Sequence, residues 1–410
     1  MGTFRSLRHR NYRLYFFGQM TSLVGSWMQS AAVTWLAYHL TRQSTWPAVL
    51  TAAQIGPTVL LGPWAGALAD RADKGRLIIR TQTAFLLLAG ALTALTYAGL
   101  ANVWVLLAVM LVQGVVQAID LPARLAFVPD LISRDDLINA VALNSVVFNV
   151  ARTIGPALAG VMLVVAGPAD CFLVNTVSYL AVLAALLAMQ LPPGRRTASD
   201  RPPGRGFLAG FAVLRRQPRV LMLALLAGFT ALCGWPLLAL LPALADGVLK
   251  HAKEGYSTML SAVGVGALAA GLVAATYGNE ARRRRFLSGG ALLVSVSLGL
   301  LSQAQHLSVA VACCGMFGFG MILLFATGQA AVQLSTNDEN RGKVMGVWAM
   351  MLSGGAPVGN LLFGPAADTW GVTTVLMVQS LAMAGAAAVL LLRRGRRERA
   401  VNPATVSVVN

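Results

Sequence analysis

Charge is what this sequence has least of. Only 11% of its 410 residues are charged, against roughly a quarter in a soluble globular chain. A soluble chain of this length needs a charged skin, so that class is excluded. Acidic residues are scarcer still, 15 against 32 Lys and Arg, for a net charge of +17. Cysteine is limited to Cys171, Cys233, Cys313 and Cys314, with no C-x-x-C spacing. That excludes a disulfide framework and a thiolate metal site, and the four read as small buried apolar residues. The histidines, His9, His39, His251 and His306, fall at the N-terminus or beside the ends of apolar tracts. None stands in a readable order with a Ser or Cys nucleophile, so no enzyme and no cofactor are expected. Gly264-Val-Gly266 with Gly271 imitates a nucleotide loop, as do Gly315, Gly318 and Gly320, but both sets lie inside apolar tracts with no strand before them. They read as helix-packing glycines.

Apolar tracts are what the chain has instead. It is 57% hydrophobic with mean hydropathy +0.68, and its charges fall in short bursts between tracts of about 20 residues, the length a bilayer core selects. Twelve helical spans are predicted, over 14–38, 47–69, 77–99, 103–123, 141–166, 171–191, 220–244, 256–278, 286–304, 307–330, 343–366 and 372–392. The first follows a basic start, as a signal peptide would. It is too long for a signal core and has no small-residue cleavage site, so it is read as retained.

The basic residues sort by side. Bursts at Arg5 to Arg13, Arg71 to Arg80, Arg195 to Arg219, Arg282 to Arg285, Arg341 to Lys343 and the C-terminal tail share one side with Arg124 and Arg134; Arg42, Lys250 and Lys253 fall on the other. The positive-inside rule then puts both termini in the cytoplasm. A stripe of basic residues interleaved with aromatics is missing, so the positive charge does not imply nucleic acid.

The longest polar stretch, 192–219, divides the chain into six spans, 1–191, and six more, 220–410. Within it Phe207 to Arg216 sets Phe207, Leu208, Phe211 and Leu214 against Arg215 and Arg216, the pattern of a helix lying on an anionic leaflet. The halves repeat weakly: Asn139 and Pro156 recur as Asn340 and Pro357 at one constant offset.

Gly66-Ala-Leu-Ala-Asp70-Arg71, closing the second span, resembles the signature loop of the major facilitator superfamily, G-x-x-x-D-R-x-G-R-[KR]. Asp73 stands where its second Gly belongs, and Gly75-Arg76 arrives late. Gly155-Pro156-Ala-Leu-Ala-Gly160 is similar to the superfamily's antiporter motif, G-P-x-x-G-G, and Gln113-Gly114 to its R-x-x-Q-G, with Met110 in the Arg position. Phe4-Arg-Ser-Leu-Arg-His-Arg-Asn11, Gly25-Ser-Trp27-Met-Gln29, Asp120-Leu-Pro122-Ala-Arg124 and Leu137-Ile-Asn139-Ala-Val-Ala-Leu-Asn144 resemble the enterobactin-exporter-like and macrolide-efflux-like branch.

The resemblance implies an all-α polytopic fold in the bacterial inner membrane, with two six-helix halves around a central cavity, acting as a monomeric secondary transporter. Its cargo would be a small amphipathic organic molecule, a siderophore or drug, exported by alternating access against H+. A lysolipid or lipid carrier of the same fold is the alternative, and a non-transporting sensor a weaker one. The implied cavity side chains are Trp27, Gln29, Gln113, Gln117, Asn144, Asn149, Arg152, Gln329 and Trp348. For gating and coupling they are Asp70, Arg71, Arg76, Asp120, Arg124, Gly155 and Pro156. Asp70 at a cytoplasmic helix end is suited to meet the positive N-terminus of a facing helix. Asp120 has two possible partners, Arg124 one helical turn on or Arg152. Arg152, near the middle of the fifth span, either braces spans through Asp120 or faces the cavity as an anchor for an anionic group. Asp368 is expected at the outer interface.

Overall fold

A computed structural model describes residues 5–133, 136–190, 215, 217–278 and 280–401. The described residues are helical throughout: a 3-10 turn at Arg5–Arg8, then α1 (Arg10–Thr41), α2 (Thr45–Arg71), α3 (Lys74–Tyr97), α4 (Val103–Phe127), α5 (Leu137–Val165) and α6 (Pro168–Leu187). Then come α7 (Pro218–Gly234), α8 (Pro236–Ala243), a π turn at Leu244–Val248, α9 (Ala252–Tyr277), α10 (Glu280–Ser302), α11 (Leu307–Leu334), α12 (Asp338–Trp370) and α13 (Val372–Val401). Among the described residues nine helices are long and apolar enough to cross a membrane. The expected amphipathic piece, Phe207 to Arg216, lies almost wholly outside the described residues.

Large apolar side chains cover the outside. Leu60, Leu87, Leu111, Val161, Val265, Leu272 and Leu381 are all exposed, which in water would be a liability and in lipid is the required surface. Short connections join the helices. Residues with left-handed backbone turn the chain at Arg42, Gly99, Gly167, Lys250 and Gly371. Near two of these turns Trp46 meets Trp104 edge to face, and Trp104 and Trp370 are exposed, as aromatics at a membrane–water boundary are.

The expected span over 220–244 is one membrane crossing, Val220–Val248, but its helix is interrupted. α7 ends at Gly234 and α8 starts at Pro236, because a proline ring removes an N–H and crowds the carbonyl four residues back. Trp235 sits at the break.

Packing follows one pattern twice. α1 packs on α5 and α6, α2 on α4, and α3 on α4 and α6. In the later part α7 packs on α12, α9 on α11, and α10 on α11 and α13. α5 and α12 occupy matching places and begin at Leu137 and Asp338, the offset that relates Asn139 to Asn340. The two sets meet chiefly through α2 against α12 and α5 against α9.

Those two seams open like a wedge. At one end α2 and α12 touch: a methyl group on Gly364 would lie 2.5 Å from Ala48 Cβ. Further along, one on Gly354 would lie 3.9 Å from Val59. Beyond that, Gly62 and Gly66 on α2 and Gly346 on α12 have nothing within 4 Å. The other seam behaves alike, from Gly160 against Ser257, through Gly264 against Thr153, to Gly271 in open space. The closed end carries Arg42, Asp246 and Asp368; the open end carries the Arg71 to Arg80 and Arg282 to Arg285 bursts.

Candidate functional site

The apex of the wedge is roofed by aromatics from both sets of helices. Trp35 on α1 stacks on Tyr256 of α9 with ring centroids 5.6 Å apart, and Tyr256 Oη donates to the Ala31 carbonyl at 2.9 Å. One turn further in, Trp27 and Leu260 line a cavity of about 60 Å³ with Arg152, Trp235, Phe317 and Met321. That volume holds a few waters or one functional group, so it is an end pocket of the wedge rather than the whole cavity.

Arg152 reaches the pocket from α5, and its guanidinium lies 6.0 Å from the Trp235 ring centroid across the seam. A flat, delocalised cation over an indole face is favourable in an apolar setting. Trp27 is held by Phe148, edge to face at 6.0 Å, and by Gly155, where a methyl group would lie 2.5 Å from Trp27 Cβ. Gly155 thus lets α5 press against α1 and sets the pocket wall, and Pro156 lines the same pocket. In this conformation the antiporter-like motif packs α5 against α1 beside the cavity.

The two partners expected for Asp120 are now distinguished. Asp120 is fully buried and its Oδ2 lies 2.6 Å from Arg124 Nε. Its Oδ1 accepts from Thr81 Oγ1 at 2.6 Å and from Gln82 Nε2 at 3.0 Å. Arg124 also donates to Gln19 Oε1 at 2.6 Å. This cluster ties α1, α3 and α4 together. The bracing pair of Asp120 with Arg152 is therefore corrected: Arg124, one turn along the same helix, takes the carboxylate.

Other expected cavity residues are spent between helices. Asn175 Nδ2 donates to Gln29 Oε1 at 2.7 Å, and Gln29 Nε2 to Gln113 Oε1 at 3.3 Å. These buried amides link α1, α4 and α6 and are not offered to a ligand in this conformation. Met110, where the superfamily motif has Arg, is buried apolar core beside them. Trp348 is buried too, and a methyl group on Gly328 would lie 2.7 Å from its ring; it packs α12 on α11. Gln117 and Asn144 are half-buried and Gln329 is exposed, none of them lining the pocket with Arg152. The Asn149 and Asp70 side chains lie outside the described residues. Arg71 and Arg76 are exposed at the open end. Asp73, the departure from the signature loop, caps α3 by accepting from the Arg76 N–H at 3.0 Å. All four cysteines are free and buried. The apolar lining of Leu260, Phe317 and Met321 was not anticipated, since nothing in sequence separates it from ordinary packing.

Solved transporters share this arrangement. The bacterial homologue of the human lysosomal transporter Spinster, in an inward-facing and unoccupied conformation, superimposes with a TM-score of 0.72 at 15% identity, covering 94% of this chain and 96% of that one. The human organic anion transporter MFSD10 gives 0.64 at 16% identity over 93% and 99%. The likeness to these structures shows the fold, and the family match makes the chain a multi-pass membrane transporter of the major facilitator type. The chain belongs to the transmembrane secretion effector family of that superfamily, whose model matches residues 1–406. It is 28% identical to the staphyloferrin A transporter of Staphylococcus aureus over 90% of this chain and 92% of that one. Identity is 24% to macrolide efflux protein A of Streptococcus pyogenes over 89% and 92%. It is 25% to the enterobactin exporter EntS of Escherichia coli over 87% and 85%.

Proposed function

We propose that the protein is a proton-coupled exporter in the bacterial inner membrane that moves an amphipathic, anionic organic molecule of the siderophore class by alternating access. Twelve spans form two six-helix halves, 1–191 and 220–410. The repeated packing pattern supports this reading. Lys and Arg placement supports a cytoplasmic open end of the wedge, which makes this conformation the one that loads cargo from inside. Asp70 would serve as the cytoplasmic latch when that end closes.

The observation that carries the reading is Arg152 in a pocket shared by both halves, whose lining is apolar and aromatic apart from Arg152 and Thr153. A guanidinium there favours a carboxylate or phenolate group, and the indoles of Trp27 and Trp235 favour a flat apolar body beside it. The names of the relatives offer two cargo types. The cationic anchor favours siderophore over macrolide.

Uptake into inverted vesicles, driven by an imposed proton gradient, tests this with a carboxylate siderophore, a catecholate siderophore, a macrolide and a lysolipid as candidate cargos. Loss of a hydrogen bond to a charged group is worth about 1.5–3 kcal/mol, so Arg152→Ala should weaken binding roughly 10- to 100-fold. Arg152→Lys keeps the charge, loses the planar fork and should fall between. Macrolide or lysolipid moved in place of the siderophores, or full siderophore transport by Arg152→Ala, would refute the assignment.

A further inference from the structure

The closed end of the wedge is joined in an unusual way. α2 starts at Thr45 with no cap of its own: Ser44, at its N-cap position, makes no side-chain capping bond. Pro47 has no N–H to give. A helix start leaves its first N–H groups without partners inside the helix, and here they point across the seam. Asp368, two residues before the end of α12, supplies the acceptors. Its Oδ1 takes the Ser44 N–H at 2.6 Å, and its Oδ2 takes the Thr45 N–H at 2.9 Å and the Thr45 hydroxyl at 2.5 Å. A negative charge at a helix N-terminus is also favoured by the helix dipole. Arg42 and Asp246 form a second link at the same end.

We propose that Asp368 is the outer latch of the transport cycle: it caps α2 in trans, so that opening the cavity to the outside uncaps a helix. Helix α2 keeps this charged cap only while the two halves are together at this end; on opening, water has to replace it. The groups joined are 324 residues apart in sequence, and no other acceptor is bonded to these two N–H groups among the described residues. Both links lie at an exposed surface where water screens charge, but Asp368 makes three hydrogen bonds to α2 against the single Arg42–Asp246 contact, so it is the stronger of the two. The close approach of Gly364 to Ala48 one turn from Asp368 brings α12 near enough for the cap to form. The inference rests on the orientation argued above, with this end outside, and not on the identity of the cargo.

The test reads closure directly and needs no cargo. In a chain freed of its four cysteines, a single cysteine replaces Leu260, beneath the aromatic roof. A membrane-impermeant maleimide is then added to intact cells. Asp368→Ala should speed labelling about 10-fold and Arg42→Ala by less. Asp368→Asn, which keeps one acceptor oxygen, should lie between wild type and Asp368→Ala, and it covers the case in which Asp368→Ala does not fold. Ser44→Asp, added to Asp368→Ala, gives α2 a cap in cis. It should restore thermal stability while leaving labelling fast, because the helix is satisfied but the halves are no longer tied. Labelling that returns to the wild-type rate with Ser44→Asp would show an ordinary structural cap and overturn the proposal. So would unchanged labelling in Asp368→Ala, or in Asp368→Asn where that is the variant that folds.

Discussion

Breaking the Asp120–Arg124 pair from either side should have unequal consequences. Removal of one member of a buried pair costs about 3–5 kcal/mol, because the other charge is stranded. The two residues differ in their escape routes. Arg124 lies three residues before the end of α4 at Phe127, so roughly 5 Å of helix rise separates it from the end. Its side chain is 14% exposed and long enough to snorkel to the headgroups. Asp120 is 0% exposed, a turn deeper, with a short side chain and only Thr81 and Gln82 to hold it. Arg124→Met should therefore carry the full cost, about 3–5 kcal/mol, and Asp120→Ala less, about 1.5–3 kcal/mol for the lost charged hydrogen bonds. Asp120→Leu with Arg124→Met should recover most of the loss, since a buried pair is often replaceable by apolar groups of similar volume. Thermal stability in detergent, followed by the fraction that stays monodisperse after heating, should rank wild type and the double variant above Asp120→Ala, and Arg124→Met last. Equal stability for Arg124→Met and wild type would refute the bracing account. So would Asp120→Asn that is fully stable yet unable to transport, which would move Asp120 from brace to coupling group.

Gly155→Ala should separate α1 from α5 and push Trp27 into the pocket, with an overpacking cost on the order of 1–3 kcal/mol; Gly66→Ala, with nothing within 4 Å, should be neutral or stabilising in the same thermal assay. A cysteine at Lys250 should label from outside intact cells and one at Arg284 should not; the reverse would overturn the orientation. On the cytoplasmic side by this orientation, the Asp136 carboxyl is held below its ordinary value of 3.8 by a hydrogen bond from His9 and by Arg5 beside it. A lowered carboxylate contributes fully above its unfolded value and loses that contribution as pH falls through the folded one. Protection of the Arg5–Arg8 turn from proteolysis should thus hold from pH 7 to near 4 and fall only below; loosening already at pH 6 would refute the role given to the Asp136 carboxylate.

The helices were readable because a bilayer imposes one rule on every span, and apolar length answers it. Their ends were not. α1 runs from Arg10 to Thr41 and α12 from Asp338 to Trp370, past the apolar tracts, because helices continue into the headgroup layer where charge is tolerated. The break at Pro236 lay in plain sight as a proline within an apolar run. A proline in a span can kink it without dividing it, so the residue alone did not decide. The site was half legible for a physical reason. An intramembrane polar side chain can be satisfied by a wet cavity or by another helix, and composition is the same in both cases. Gln29 and Gln113 took the second route, through Asn175. The two arginines were better marked: a carboxylate four residues before Arg124 made it an internal pair, and Arg152 had none at that spacing. Its place in the pocket follows from α5 crossing the seam, a fact of tertiary packing. Asp368 shows the limit most clearly. Nothing near it in sequence marks it as a cap, since the helix it caps begins 323 residues away. What sequence could have shown is the complementary lack, a helix start at Ser44-Thr45-Trp46-Pro47 whose cap comes from elsewhere. A helix that opens without its own cap, at the seam between two packed sets of helices, is therefore a place to look for the residue that holds them together.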